Sequence, residues 1–304
     1  GNPGRLEEFI NASIGDASIL NPILSADSAS SEIENLVFEG LIDRDENLRF
    51  RGRVAESWTV SEDAYFFVNA AWPVPGAAGP EAEAVAGYLK RLQAGPGSLP
   101  EPVRATLGNI HEISVVPDRT YAVSRKHAAA PGRDRVDLQI QVAAPARIKL
   151  SLRQVDQDLF THLSAALGQA YFSSFQPRRH LSVTPAIDEK DLDALAAELL
   201  PATEHNPVIE FRLRPGVKFH DGADVTARDV QFTYAAIMDP RNLSPRVADY
   251  EPVKDIQVID PLTVRIVYKR LYAPAVGTWA MGLLPEHRLN AARLREEALR
   301  SGQD

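Results

Sequence analysis

The sequence predicts a mixed α+β (α/β) fold, because helical and strand periodicities alternate along the chain. Apolar residues recur at helical spacing through residues 155–167, whereas residues 136–142 alternate polar and apolar side chains as a half-buried strand does. Turn pairs such as Pro215-Gly216 and Asp260-Pro261 separate such segments. The 304 residues, 44% of them hydrophobic, suffice for one large domain or two ordinary ones.

Composition excludes several classes of function. The formal net charge is −8 and no basic block stands out, so we expect no nucleic-acid partner. The chain has no cysteine, which excludes disulfides, thiolate catalysis and zinc-thiolate sites. No apolar run approaches the length of a membrane span. The chain begins at Gly1 without a charged and then apolar leader, so any signal peptide lies outside this sequence.

The N-terminal part alternates strands with one helix. We predict strands at residues 6–14, 54–60 and 64–68. The helix is predicted from Ser31, because Glu34 stands three residues later at the spacing of a capping box, and it ends at Gly40. Its apolar stripe is Ile33, Leu36 and Val37.

The middle of the chain has a different character. Pro73 to Pro80 is a linker-like stretch rich in Pro and Gly, and folded helix and strand patterns follow it. One of these patterns predicts a hairpin of residues 113–116 and 121–123 around Asp118-Arg119. Residues 70–206 are therefore predicted to fold as an α+β segment.

Strand signals return after Pro207. A helix begins at Thr226, and Asp229 stands at the capping-box position. A hairpin is predicted around Asp260-Pro261, and the chain from Pro285 reads as a helix.

Two blocks of residues carry a family resemblance. The first comprises Leu20-Asn21-Pro22, Asp27, Leu36-Val37-Phe38-Glu39-Gly40-Leu41-Ile42, Asp45 and Val54-Ala55-Glu56-Ser57-Trp58. The second comprises Phe211-Arg212-Leu213-Arg214-Pro215-Gly216-Val217-Lys218-Phe219-His220-Asp221-Gly222, Val225-Thr226-Ala227-Arg228-Asp229-Val230-Gln231-Phe232-Thr233-Tyr234 and Asp239-Pro240. Their order and spelling resemble the family 5 extracellular solute-binding proteins, which include the oligopeptide- and dipeptide-binding proteins. The resemblance covers about residues 6–68 and 207–290.

The resemblance implies a periplasmic-binding-protein-like type II fold of two lobes, present here in part. Residues 1–38 would supply the first strand and helix of the large lobe, and residues 39–284 the smaller lobe. Residues 285–304 would form a helix that returns toward the large lobe. Family chains pass almost directly from the tryptophan strand to the second block, so residues 70–206 would be an insertion whose ends lie close together. Family members are also much longer, so we interpret this sequence as an N-terminal fragment without its second lobe.

The implied function is capture of a peptide or other small solute outside the cytoplasm and its delivery to the membrane permease of an ABC importer. The carrier would be periplasmic or extracellular, secreted or anchored as a lipoprotein. No catalytic residue, cofactor or metal is expected. Three alternatives stay open: the same fold carrying a nickel chelate, a sugar or haem; a sensor domain that does not transport; or an interaction protein that, with its insert, no longer transports anything.

Two sites are candidates for ligand contact. The loop of Ala26, Asp27 and Ser28 follows the Asn-Pro step, and in the family this loop offers backbone groups to the bound peptide. Arg246 stands where some peptide binders place an aromatic residue, and its guanidinium would pair with a ligand carboxylate. A surface arginine on a loop is the plain alternative.

Other polar residues have simpler interpretations. His220-Asp221 suggests an acid–base pair, but a strand end followed by a turn explains it as well. His205 and His287 lie in loop-like contexts without ligand spacing to a second histidine or a carboxylate. Ser57 has no nucleophile-elbow motif around it.

Overall fold

The computed structural model describes residues 17, 19–127 and 135–301. These residues divide into two compact units. Unit 1 comprises the described residues up to Thr59, then Ile209–Tyr268, and those from Tyr272 onward. Unit 2 comprises Val60–Val208 with Lys269–Leu271. The strand predicted at residues 6–14 lies outside the described residues.

Helices and strands alternate along the chain, which confirms the predicted mixed α+β fold. The helices are α1 (Ser28–Val37), α2 (Ala82–Ala94), α3 (Glu101–Asn109), α4 (Leu159–Leu167), α5 (Glu189–Leu199), α6 (Ala227–Met238), α7 (Val247–Tyr250), α8 (Glu286–Leu289) and α9 (Ala291–Ser301). The strands are β1 (Ile42–Arg44), β2 (Phe50–Gly52), β3 (Ala55–Phe67), β4 (Ile110–Val116), β5 (Arg119–His127), β6 (Val136–Ala144), β7 (Arg147–Leu152), β8 (Leu181–Thr184), β9 (Thr203–Leu213), β10 (Val253–Asp260) and β11 (Thr263–Tyr268).

Unit 1 is built on strands in the order β10-β11-β9-β3, with β1 and β2 as a separate antiparallel pair. The predicted hairpin around Asp260-Pro261 is confirmed, since β10 and β11 pair antiparallel with Ile256 opposite Ile266. The core of this unit includes Phe211 and Trp279, which are almost completely buried and lie edge to face. Trp58 packs against the same core from β3, with its ring centroid 6.3 Å from that of Phe211.

Helix α6 begins as the sequence predicts. Thr226 and Asp229 form a capping box. The Thr226 side chain accepts a hydrogen bond from the backbone amide of Asp229, and the Asp229 side chain accepts one from the backbone amide of Thr226. Val230 and Ile237 are fully buried on its core-facing side. The predicted C-terminal helix is instead two helices, α8 and α9, because the backbone is extended at Asn290.

Helix α1 differs from the prediction. It begins at Ser28, three residues earlier than predicted, because Asp27 caps it by accepting a hydrogen bond from the backbone amide of Ser30. The stripe of Ile33, Leu36 and Val37 is exposed rather than buried; Leu36 is 84% accessible. The residues that α1 buries are Ala29, Ser30 and Glu34, and Glu34 accepts a hydrogen bond from the hydroxyl of Ser25 at 2.7 Å.

Unit 2 contains strands in the order β9-β3-β7-β4 and a second antiparallel sheet in the order β5-β6-β8. Helices α2, α3 and α4 supply leucines such as Leu89, Leu107 and Leu163 to the core over the first sheet. The second sheet packs its buried face, centred on Ile140, against Phe175 and Leu200.

Two strand predictions were wrong in unit 2. The hairpin expected around Asp118-Arg119 does not form, because β4 pairs with β7 and β5 pairs with β6 in a different sheet. The two short strands expected at residues 54–60 and 64–68 are one strand, β3, whose residues up to Thr59 belong to unit 1 and the others to unit 2. The borders predicted for the lobes and for the insertion stay predictions.

Candidate functional site

The loop predicted to contact a ligand is also the start of a helix. Asp27 is the N-cap residue of α1, and its two carboxylate oxygens accept hydrogen bonds from the backbone amide and the hydroxyl of Ser30, both at 2.7 Å. Ser28 is the first helical residue, and Ala26 and Ser28 are exposed. The carboxylate of Asp27 is therefore used by the helix, while the neighbouring backbone faces solvent.

Arg246 is held against the segment that precedes this loop. Its Nε donates a hydrogen bond to the carbonyl oxygen of Pro22 at 2.6 Å. Ser244 strengthens the attachment, because its hydroxyl donates to the carbonyl of Ile23 and accepts from the backbone amide of Arg246. These hydrogen bonds hold the Arg246 side chain against Pro22, which lies four residues before Ala26 in the chain.

Arg246 lines a cavity of about 660 Å³ within unit 1, which we call the Arg246 cavity. Its polar and aromatic lining includes Asn35, Asp249, Tyr250 and Tyr272. Burial raises the pKa of Tyr250, so its phenol stays neutral and donates to the carbonyl of Thr278. Ala26, Asp27 and Ser28 are not among the described residues that line this cavity.

The volume and lining of the Arg246 cavity fall within the range of small-molecule sites. A guanidinium and the exposed carboxylate of Asp249 lie in the wall together with aromatic surface. Groups of both charges beside aromatic rings suit a zwitterionic organic solute better than a simple ion. Asp249 and the tyrosines were not singled out in the sequence, because nothing in their local pattern distinguishes them from scaffold residues.

A second cavity of about 520 Å³ in unit 1 is lined by His220 and Asp221, and we call it the Asp221 cavity. Asp221 is not paired with its neighbour His220. Its Oδ2 accepts hydrogen bonds from Nε2 of His287 at 2.7 Å and from Nε of Arg288 at 2.6 Å. These donors hold the pKa of the Asp221 carboxyl well below its usual range.

His287, expected in a loop-like context, lies in α8, and its carboxylate partner is Asp221. Its ring also lies 5.5 Å from that of Phe219, so it is fixed between an aromatic ring and a carboxylate. Hydrogen bonds from both His287 and Arg288 stabilise the ionised carboxylate of Asp221, which makes it a weak proton acceptor. The turn interpretation of His220-Asp221 fits this geometry, since Asp221 also accepts from the backbone amide of Ala223.

His205 likewise has a carboxylate partner. It lies on β9, not in a loop, and its Nδ1 is hydrogen-bonded to Glu62, whose side chain is fully buried. The second oxygen of Glu62 accepts from the backbone amide of Asp156 at 2.9 Å. The ring of Phe160 packs edge-on against the histidine. This arrangement satisfies a buried carboxylate, which is what burial of a charge requires.

A hydroxyl lies near this pair but is not a nucleophile. Oγ1 of Thr106 lies 2.7 Å from both Oδ2 of Asp156 and Nδ1 of His162. In a Ser-His-Asp triad the histidine stands between hydroxyl and carboxylate, whereas here the hydroxyl stands between the other two. Thr106 is also 3% exposed, so a substrate has no access to it.

Neither a metal-binding cluster nor a membrane-spanning helix is found in the part of the chain that the structure describes. Within residues 17, 19–127 and 135–301, no group of three or more His, Cys, Asp or Glu side chains has the arrangement of a metal site. None of the helices in those residues combines the length and the apolar character needed to cross a membrane.

Comparison with known proteins gives one family. Residues 194–293 match the family described as "Bacterial extracellular solute-binding proteins, family 5 Middle". The chain is similar to Protein XP55 of Streptomyces lividans, with 34% identity over 94 residues that cover 31% of this chain and 17% of that protein. It is also similar to the glutathione-binding protein GsiB of Escherichia coli K12, with 29% identity over 92 residues, 30% of this chain and 18% of that protein.

The matched segment thus spans less than a fifth of the length of these curated relatives. Among solved structures, the oligopeptide-binding protein AppA of Bacillus subtilis aligns with 94% of this chain and 30% of its own, at 16% identity and a TM-score of 0.40. The family match falls on the second motif block and the elements around it, from within α5 to the start of α9. The family match thus covers residues 194–293, about a third of this chain.

Proposed function

We propose that this chain is part of an extracytoplasmic carrier that binds a peptide or a similar small solute and delivers it to the permease of an ABC importer. The observation that carries the proposal is the family match over residues 194–293. Those residues keep the family's structural features, since the Pro215-Gly216 turn and the capping box of α6 both form. A secreted or lipid-anchored carrier follows from the same proposal.

The Arg246 cavity is the part of the chain that we propose contacts the solute. Its volume of about 660 Å³ suits a small peptide, and its wall offers a guanidinium for the terminal carboxylate and Asp249 for the terminal amine. The exposed backbone at Ala26 and Ser28 would add hydrogen bonds that do not depend on side-chain identity. Both features suit a carrier that accepts varied peptides.

We further propose that unit 2 is an insertion in the smaller lobe of the carrier. Its main segment, Val60–Val208, lies almost wholly before the matched residues 194–293. Insertions are tolerated at exposed sites where the two ends of the inserted segment can meet. The neighbouring positions of β3 and β9, the strands that carry the two ends of the segment, support this arrangement.

The name of one relative narrows the candidate solutes. GsiB is a glutathione-binding protein, and glutathione is a small peptide with free carboxylates and a free amine. We therefore place glutathione beside di- to pentapeptides among the solutes to test first. Nickel chelates, sugars and haem remain alternatives on the same fold, and a sensor role is favoured only if a DNA-binding segment accompanies this chain.

Calorimetry with glutathione and a mixed di- to pentapeptide library tests the proposal on two proteins. The product of the complete gene should bind at micromolar affinity or better, whereas the 304-residue chain should bind far more weakly. A two-lobed carrier contacts its solute from both walls, and losing about 4 kcal/mol would turn a micromolar site into one near a millimolar. Failure of the complete product to bind any of these solutes would refute peptide transport.

A substitution in the complete product tests whether the solute binds in the Arg246 cavity or elsewhere in the protein. Arg246→Met should weaken peptide binding about tenfold or more, because it removes a charged hydrogen-bond donor. Arg241→Met is the matched control: this arginine is exposed and paired with Asp239 at 2.6 Å. Equal affinities in the two variants would show that the solute binds elsewhere.

A further inference from the structure

The short 3₁₀ turn Pro177–His180 of unit 2 adjoins two cavities. The smaller has a volume of about 180 Å³ and is lined by Val68, Pro145, Phe175, Arg179 and His180, among others; we call it the Phe175 pocket. A larger cavity of about 550 Å³ shares Phe175, Gln176 and Arg179 with it. The residues of both cavities lie outside the segment that matches the solute-binding family.

Two stacked rings, those of Phe175 and His180, form part of the wall of the Phe175 pocket, and Phe67 supports them from outside the lining. Phe175 lies between Phe67, 5.2 Å away at an interplanar angle of 5°, and His180, 5.6 Å away at 14°. Burial lowers the pKa of His180, so at neutral pH its ring is uncharged and serves as part of the aromatic wall. Only 9% of Phe175 is accessible, so the stack is a fixed surface.

Two adjacent arginines of this turn differ in charge compensation. Arg178 pairs with Glu189 at 3.0 Å and with Asp193 at 3.6 Å. Arg179 lines both cavities, and the described residues offer its guanidinium no ion pair. The pocket therefore combines a mainly apolar lining, which also includes Asn69, Ser174 and Gln176, with a cation whose charge is not neutralised within the described structure.

We propose that the Phe175 pocket binds an organic carboxylate whose apolar part is about the size of a benzene ring. A cavity of about 150 Å³ lined by apolar side chains accommodates benzene, so a volume of about 180 Å³ fits such a group. The planar guanidinium of Arg179 is suited to pair with the carboxylate. Free aryl acids and a peptide ending in phenylalanine share this chemistry, and the adjoining larger cavity has room for the rest of a peptide.

Titration calorimetry of the 304-residue chain with 3-phenylpropionate tests the site. Saturable binding is expected, with 3-phenylpropanol, which has the same ring but no charge, binding about tenfold more weakly. Arg179→Gln should weaken 3-phenylpropionate binding by about the same factor and leave the alcohol unaffected. Arg178→Gln is the matched control and should bind 3-phenylpropionate as the unmodified chain does.

The proposal is overturned if 3-phenylpropionate shows no saturable binding, if the alcohol binds equally well, or if Arg178→Gln loses as much affinity as Arg179→Gln. Thermal unfolding of both variants checks that each remains folded. N-acetylphenylalanine distinguishes the two sources of the carboxylate: tighter binding than 3-phenylpropionate identifies a peptide C-terminus, and weaker binding identifies a free acid. A failure of this site leaves peptide transport untouched, because the residues concerned lie in unit 2 and not in the Arg246 cavity.

Discussion

Asp229 joins two parts of the family segment that lie far apart in the chain. Its Oδ2 accepts the backbone amide of Thr226 at 2.8 Å, which caps α6. Its Oδ1 accepts the backbone amide of Glu286, also at 2.8 Å, at the start of α8. The side chain is only 4% exposed, so water cannot replace it in either role.

The Asp229→Ala variant should lower the free energy of unfolding by about 3 kcal/mol. Loss of a helix cap costs about 1 kcal/mol, and leaving the buried amide of Glu286 without a partner costs about 2 kcal/mol. Burial also raises the pKa of Asp229, which means that ionisation of the carboxyl carries a desolvation cost that the variant removes. Asp229→Asn keeps one acceptor oxygen, so about half of the loss should remain.

Denaturant unfolding followed by tryptophan fluorescence measures the effect. Trp58 and Trp279 report on unit 1, and a Trp72→Phe background removes the tryptophan of unit 2. Asp224→Ala is the matched control, because this exposed aspartate pairs only at the surface, with Lys218, and such pairs contribute about 0.5 kcal/mol. An Asp229→Ala loss no larger than that of the control would refute the reasoning.

Two further predictions concern steric fit and pH. Gly40→Ala should destabilise unit 1 by about 2 kcal/mol, because a Cβ there would overlap the backbone oxygen of Ala280. Gly108 lies in α3, and a Cβ there would contact no neighbouring atom, so Gly108→Ala should stabilise the chain by about 0.5 kcal/mol in thermal unfolding. Burial raises the pKa of Tyr268 from 10.0 to about 12, so the unfolded chain releases this proton first and stability should fall as pH rises from 10 toward 12. In alkaline unfolding curves, Tyr268→Phe should be less stable than the unmodified chain at pH 8 but should have a shallower slope above pH 10.

Features with local causes were predictable from the sequence. The capping box of α6 needs only Thr226 and Asp229 at the right spacing, and the Asp260-Pro261 turn needs only the two flanking strands. The same reasoning placed the α1 start three residues late, because both Asp27 and Ser31 are good cap residues and only the folded backbone selects between them. Local signals thus determine that an element exists more reliably than where it begins.

Burial was less predictable than secondary structure. The spacing of Ile33, Leu36 and Val37 is that of an amphipathic helix, yet these side chains are exposed. Helical spacing shows which side chains share a face, but it does not show which surface covers that face. The residues that α1 buries are Ala29, Ser30 and Glu34, and the buried carboxylate of Glu34 accepts a hydrogen bond from the hydroxyl of Ser25.

Contacts between distant residues explain why the carboxylate partners of His287 and His205 were not predicted. The partner of His287 is Asp221, 66 residues earlier, and the partner of His205 is Glu62, 143 residues earlier. Neither separation matches a metal or catalytic motif, so a search by spacing finds nothing. In each case the sequence specified the ionisable groups, and the pairing of strands and helices decided which of them meet.

Arg178 and Arg179 also show that sequence alone does not predict which charged groups meet, since the two residues are chemically identical and adjacent. In the folded chain Arg178 is compensated by two carboxylates from α5, while Arg179 lines a ring-walled pocket without an ion pair among the described residues. A charge without an ion pair is available to a ligand carboxylate, whereas a paired one must first give up or share its partner. Because the two arginines occupy neighbouring positions on one turn, replacing each by glutamine changes net charge equally, and any difference in ligand binding must come from their surroundings.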